Sequence, residues 1–224
     1  MNSIRDLKLV SLHILKTAGN SFRMTFSEIF YDHLLCRINI KPDESIINFD
    51  GTASITFQIP RKARIVHGHF VPKNLYHNFP KLKSLPIITW VRNPIDRILS
   101  NYYYVNKQML NSAQNNVDLM SMVERMTKSL DEYISDKNNQ NRMHKFIEGL
   151  QLEYFKFVGI VEDYKAEMNY ATKLFSWGNI RSFSQNKTNI KMEEINIEKI
   201  QELNQEDFKI YEKALAMKME QIKL

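Results

Sequence analysis

Residues 9–23 read LVSLHILKTAGNSFR, and the rest of the chain is organised around them. The apolar run 9–14, with its β-branched members, predicts a buried strand. Residues 15–21, LKTAGNS, break it. From Ser21 onward Phe22, Phe26, Ile29 and Phe30 recur at helical spacing. A strand, a tight turn with glycine and lysine, then a helix is a geometry that binds an anion. The first N–H groups of a helix have no internal partner, and the macrodipole adds positive potential there. Lys16 adds a full charge, and Thr17, Asn20 and Ser21 add side-chain donors. The spacing is not that of the G-x-x-x-x-G-K-[ST] loop, because Lys16 precedes Gly19, the only glycine of the stretch. Taken alone, the stretch fits either a phosphate-like ligand or an ordinary strand-to-helix turn with a solvated lysine.

A second anion candidate is VRNPIDRILSNYYY, residues 91–104. Residues 86–91 predict the clearest internal strand. Asn93 can cap the next helix with Pro94 at its first position, and Ile95, Ile98, Leu99, Tyr102 and Tyr103 mark its buried face. Arg92 at the strand end and Ser100 on the helix can grip one phosphate from two sides, a task suited to the planar fork of arginine. The alternative is a capped surface helix with an Asp96–Arg97 charge pattern. The consecutive tyrosines 102–104 do not share one helical face, so packing explains one or two of them better than base stacking does.

Further strands are predicted at 65–66, running into His67-Gly68-His69, and at 155–161. Residues 36–64 read as a loop-rich connection with a short strand at 54–58. Helices are predicted at 117–126, 130–135, 141–150 and 164–177, a last short strand at 180–183, and two helical stretches over 195–224 divided at Leu203-Asn204. Strands alternating with helices predict an α/β fold with a largely parallel sheet. Ligands bind at the C-terminal strand ends of such sheets, where residues 16–21, 67–69 and 92–100 would converge.

The chain has 224 residues, 43% hydrophobic and 25% charged, with a formal charge of +6. That length predicts a single domain over 1–224, with a core over about 9–190 and a C-terminal helical extension over about 195–224. The positive balance favours anionic partners. One cysteine, Cys36, excludes an internal disulfide framework. No uninterrupted apolar leader and no run of membrane-spanning length is present, so stable membrane insertion is not expected and the predicted location is cytoplasmic.

With these motifs in place the sequence resembles the carbohydrate sulfotransferases, in particular the heparan sulfate 2-O/6-O-type branch and its bacterial relatives. Residues 12–21 (LHILKTAGNS) are similar to the family's 5′-phosphosulfate loop, and 90–104 (WVRNPIDRILSNYYY) to its 3′-phosphate signature. His67-Gly68-His69-Phe70, residues 138–149 with Asn141-Arg142, and 158–163 (VGIVED) follow in the family's order. Asn186-Lys187-Thr188 resembles a late loop that closes over the nucleotide. Three positions depart from the pattern: Leu15 stands for Pro, Asn20 for Thr and Asn93 for Asp. None removes a charge.

The resemblance implies a P-loop NTPase-like three-layer fold with helices on both faces of a central, mostly parallel sheet. It also implies transfer of a sulfuryl group from 3′-phosphoadenosine-5′-phosphosulfate (PAPS) to a hydroxyl of a carbohydrate, glycan or small-molecule acceptor, leaving adenosine 3′,5′-bisphosphate (PAP) and needing no metal. By the same resemblance Lys16 and His69 are the catalytic residues. Lys16, Thr17, Ala18, Gly19, Asn20, Ser21, Arg92, Ser100, Asn186, Lys187 and Thr188 bind the donor. Histidine suits a base near neutral pH. His69 is preferred to His67, which reads as structural; His13 reads as structural within the first strand, and Glu162 is the alternative base. A metal pair at His67 and His69 is the minor reading of the two i,i+2 histidines. Two other classes compete: a P-loop small-molecule kinase and a basic nucleic-acid-binding module. No nucleic-acid motif supports the latter. The C-terminal helices have two available partners, their own domain or a second subunit of a homo-oligomer.

Overall fold

A computed structural model describes residues 7–30, 35–41, 44–49, 52–55, 59–105, 129–178 and 195–222. The predicted helix at 117–126, the strand at 180–183 and Asn186, Lys187 and Thr188 lie outside these residues.

Among the described residues seven strands form one sheet in the order β4-β3-β2-β5-β1-β6-β7. They are β1 Leu9–Leu12, β2 Leu35–Lys41, β3 Glu44–Phe49, β4 Thr52–Ile55, β5 Ile65–His69, β6 Ile87–Val91 and β7 Phe157–Ile160. The five strands β2, β5, β1, β6 and β7 are parallel, and β3 and β4 extend the β2 edge antiparallel. The region expected to be loop-rich therefore holds three strands. The signal was present: Cys36, Ile38 and Ile40 alternate with Arg37, Asn39 and Lys41, which is the strand period of two. The first helix is α1 Gly19–Phe30, and Leu35 opens β2.

The other helices are α2 Pro72–Asn78, α3 Pro94–Tyr104, α4 Leu130–Ser135, α5 Arg142–Ile147, α6 Tyr164–Phe175, α7 Ile197–Leu203 and α8 Gln205–Ile222. The period-two alternation of the strands sorts the core into two layers. Val10, Leu12, Val66, Ile87, Val91 and Ile160 face Leu75 of α2, Met143 and Ile147 of α5, and Ile210 and Ala214 of α8. Leu9, Ile65, Ile88, Trp90 and Phe157 face Phe22 and Phe26 of α1 and Met168 and Ala171 of α6. Helices thus cover both faces, as a sheet with buried parallel strands requires. Full burial of one such large apolar side chain contributes about 1.5–3 kcal/mol.

Close approach explains Gly68. It pairs with Ile38 across β5 and β2, and a Cβ there would stand 1.7 Å from the Ile38 carbonyl oxygen. The chain passes from β5 on one side of β1 to β6 on the other, so the C-terminal end of β1 is a topological switch point where a crevice opens.

The C-terminal helices pack on their own chain. Ile210 and Ala214 enter one layer of the core, and Ile200 of α7 joins Ile98 of α3 and Tyr133 and Ile134 of α4. Buried polar contacts fasten them. Arg97 and Asp207, 1% and 0% exposed, face each other with Nε 3.7 Å from Oδ2. Asp207 also accepts the N–H groups of Met143 and His144, at 3.2 and 2.8 Å, at the start of α5. In return Asn141 Oδ1 accepts those of Glu206 and Asp207, at 3.1 and 3.3 Å, at the start of α8. The two helices cap each other. Asn204, directly before α8, accepts the Phe208 N–H on its carbonyl at 3.1 Å, while its side chain accepts from the Asn141 N–H at 2.9 Å and donates to Ile200 O at 2.9 Å.

Candidate active site

Beyond the end of β1 the backbone turns sharply. Lys16 and Ala18 adopt positive φ, 69° and 60°. For non-glycine residues the left-handed region costs on the order of 1–2 kcal/mol each, and such strain clusters where ligands are clamped. The turn delivers the chain into α1, whose first residue is Gly19. A Cβ on Gly19 would lie 1.6 Å from His13 Nε2, so any side chain there would have to displace the imidazole pressed against it. Thr17 departs from expectation: it is buried, 1% exposed, and its hydroxyl donates to Ile14 O at 2.8 Å. Its side chain closes the turn, and its N–H is directed at the same carbonyl at 3.4 Å.

One cleft of about 440 Å³ gathers the predicted elements. Lys16, Ala18, Gly19, Asn20 and Ser21 line it from the first turn, Arg92 and Ser100 from the second, and His69 from the end of β5. Leu15, where the family pattern has Pro, lines it as well. Arg92 Nη1 donates to Lys16 O at 3.4 Å, linking the two basic elements. Asn93 Oδ1 accepts the Ile95 N–H at 3.0 Å, so the expected cap forms with Pro94 at the first helical position. Arg97 points the other way, to Asp207.

Lys16 Nζ lies 3.8 Å above the centre of the Tyr104 ring. Burial, with Arg92 nearby, holds its ammonium pKa down to about 8. Tyr104 lies one turn beyond Ser100 on the same face of α3 and lines the cleft, whereas Tyr102 packs on Tyr133 with ring centres 5.4 Å apart.

The three histidines cluster at the other wall. His67 is buried, its Nδ1 2.9 Å from Ser11 Oγ, and burial pushes its pKa down to about 3. It is a neutral structural residue. His69 Nδ1 lies 2.7 Å from the His13 carbonyl oxygen. A carbonyl only accepts, so Nδ1 carries the hydrogen and Nε2 keeps its lone pair. Burial lowers the His69 pKa, a tendency partly offset by the hydrogen bond to His13. The His13 ring lies 4.2 Å from that of His69 and 5.3 Å from that of His67.

Glu162, the alternative base, has both oxygens engaged. Oε1 accepts the Asn93 N–H at 2.9 Å, and Oε2 accepts the Tyr211 hydroxyl at 3.2 Å. His13, read from the sequence as structural within the strand, and Tyr104 also line the cleft. The strand ends at Leu12, so His13 belongs to the turn. The i,i+4 spacing from Ser100 was the available signal for Tyr104.

Among the described residues no group of three or more His, Cys, Asp or Glu side chains is placed to hold a metal ion. No helix among them is long and apolar enough to cross a membrane.

No curated protein sequence matches the chain. Its fold is similar to that of the mouse sulfotransferase SULT7A1, solved in complex with PAP, at 15% identity and a TM-score of 0.40. The match covers 88% of this chain and 63% of the mouse chain, so the chain spans less than two thirds of that relative's length. The sequence profile described as the sulfotransferase family matches residues 4–214. With nearly its whole length matched, the chain belongs to the sulfotransferase family.

Proposed function

We propose that the protein transfers a sulfuryl group from PAPS to a hydroxyl of a carbohydrate or other glycan acceptor. The observation that carries this reading is the meeting of four elements in one cleft: Lys16, the N-terminus of α1, the Arg92–Ser100 pair and His69. Its volume, about 440 Å³, is that of an ordinary small-ligand site. PAPS has anionic groups at two ends, and the cleft has two basic elements to receive them. The 5′-phosphosulfate fits the strained turn, where backbone N–H groups and Lys16 offer positive potential. The 3′-phosphate fits Arg92 and Ser100.

The chemistry follows from charge and proton placement. The acceptor oxygen attacks sulfur in line with the leaving phosphate. Its proton passes to Nε2 of His69, the free lone pair of a neutral ring. The sulfur–oxygen bond to the 5′-phosphate breaks, and the electron pair stays on the phosphate oxygen facing Lys16. A protonated Lys16 stabilises that developing charge.

Calorimetry with PAP and with ATP plus Mg²⁺, followed by mass spectrometry of a glycan panel incubated with PAPS, tests the reading. Binding of PAP and a gain of one sulfate on a glycan is expected. Binding of ATP in preference to PAP would turn the assignment to a kinase.

A further inference from the structure

His13 stands between the two halves of the cleft. Its Nε2 abuts Gly19, the first residue of α1, and its ring lies against that of His69, tilted by 31° with centres 4.2 Å apart. Its backbone is committed: the N–H donates to Gly68 O at 2.8 Å, and the carbonyl accepts from His69. Its ring is not. Among the described residues neither ring nitrogen has a hydrogen-bond partner; the ring's contacts are the two imidazoles beside it. The ring lines the cleft. An imidazole that faces a cleft with an unused N–H is a donor awaiting a ligand.

Its position says which part of a ligand it meets. On one side is the turn that receives the phosphosulfate, on the other the base that receives the acceptor's proton. The atom between leaving oxygen and attacking oxygen is sulfur. We propose, resting on the donor reading above, that His13 is a further catalytic residue, donating its N–H to a non-bridging oxygen of the sulfuryl group during transfer.

A neutral donor suits this place. Burial, with His67, His69, Lys16 and Arg23 nearby, holds the His13 pKa well below its ordinary value. The ring therefore stays uncharged while His69 takes the acceptor's proton. In the step, acceptor oxygen bonds to sulfur, the bond from sulfur to the phosphate oxygen breaks, and the proton goes to His69. His13 keeps its own proton throughout. A fixed donor aimed at charge shared among the sulfuryl oxygens acts by preorganisation.

The test uses the difference between PAPS and PAP, which is the sulfuryl group alone, and needs no acceptor. Calorimetric affinities for both are compared in wild type, His13→Gln, which retains an N–H donor, and His13→Met, which fills similar space without one. In His13→Met the affinity ratio of PAPS to PAP should fall about tenfold, as for loss of a hydrogen bond to a charged group. PAP binding itself should hold within about twofold and the ratio should recover in His13→Gln. If His13→Met does not melt cooperatively, His13→Ala replaces it. An unchanged ratio, or an equal loss of PAPS and PAP binding, overturns the assignment and leaves the ring as a strut of the turn. Wild type that binds neither nucleotide would instead overturn the donor reading on which it rests.

Discussion

The carboxylate of Glu162 accepts the backbone N–H of Asn93 at 2.9 Å, directly after Arg92. Its second oxygen is held by Tyr211 of α8 at 3.2 Å. The turn that would present Arg92 to a 3′-phosphate is thus fixed from β7 and from the C-terminal helix together. Glu162→Gln keeps an oxygen to accept from Asn93. It should weaken PAP binding by less than about tenfold, the loss of one modest hydrogen bond. Loss of turnover by about 10²–10⁴ with PAP binding intact would mark Glu162 as the base after all.

His69→Ala should remove that same factor, about 10²–10⁴, from turnover while sparing PAP affinity. The pH profile supplies the sign. A base works when neutral, and burial lowers the His69 pKa from its ordinary value of 6.5. The acidic limb of kcat/KM should therefore fall below pH 6.5. A limb centred above it would contradict the buried, Nδ1-protonated ring.

Lys16 carries a second pH signature. In the free protein its pKa is held down to about 8. A bound phosphate favours the charged ammonium and raises that value. Binding of PAP at pH 8 should take up a fraction of a proton, and affinity should weaken as pH rises through this region. Calorimetry in two buffers of different ionisation enthalpy measures the uptake. Lys16→Met should abolish it.

The buried pair Arg97–Asp207 should dominate the stability of the α3–α8 contact. Asp207→Ala leaves a fully buried guanidinium without its counter-ion and strips the start of α5 of its acceptor. A loss of about 3–5 kcal/mol in unfolding free energy is expected from urea titration. Replacing both charges, Arg97→Met with Asp207→Leu, should lose less than Asp207→Ala, because no unpaired charge remains.

Gly19→Ala separates fold from site. Alanine favours a helix over glycine by about 0.8–1 kcal/mol, yet its Cβ would meet His13 Nε2 at 1.6 Å. Imidazole or turn must move, so PAPS binding should fall although thermal unfolding stays near wild type.

Much of this arrangement was legible in the sequence because it depends on local signals. The strand–turn–helix of residues 9–30, the Asn93-Pro94 cap and the α4 boundaries follow from periodicity and capping chemistry. Of the three strands between Leu35 and Ile55, the sequence anticipated only the last, through the short strand expected at 54–58, although alternation at Cys36–Lys41 announced the first. Short strands separated by two residues leave too few positions for a period to stand out. The site divided in the same way. Lys16, Arg92 and His69 are charges or bases at strand ends, visible along the chain. The roles of Thr17 and Glu162 depend on partners: Thr17 turns inward to Ile14, and Glu162 meets residues from two other elements. No spacing encodes such contacts.

The mutual capping of α5 and α8 has a bearing on how the protein is born. Asn141 leaves the ribosome long before Glu206 and Asp207, and Arg97 longer still. Until α8 emerges, α5 lacks its cap and Arg97 its counter-ion, while the strands that carry Lys16, His69 and Arg92 are already made. A helix made after all of these braces a cleft whose Lys16, His69 and Arg92 come from the first half of the chain. A nascent chain halted before Asp207 should hold its sheet and fail to retain PAP, so nucleotide capture by ribosome-bound chains of increasing length would date the moment at which the site closes.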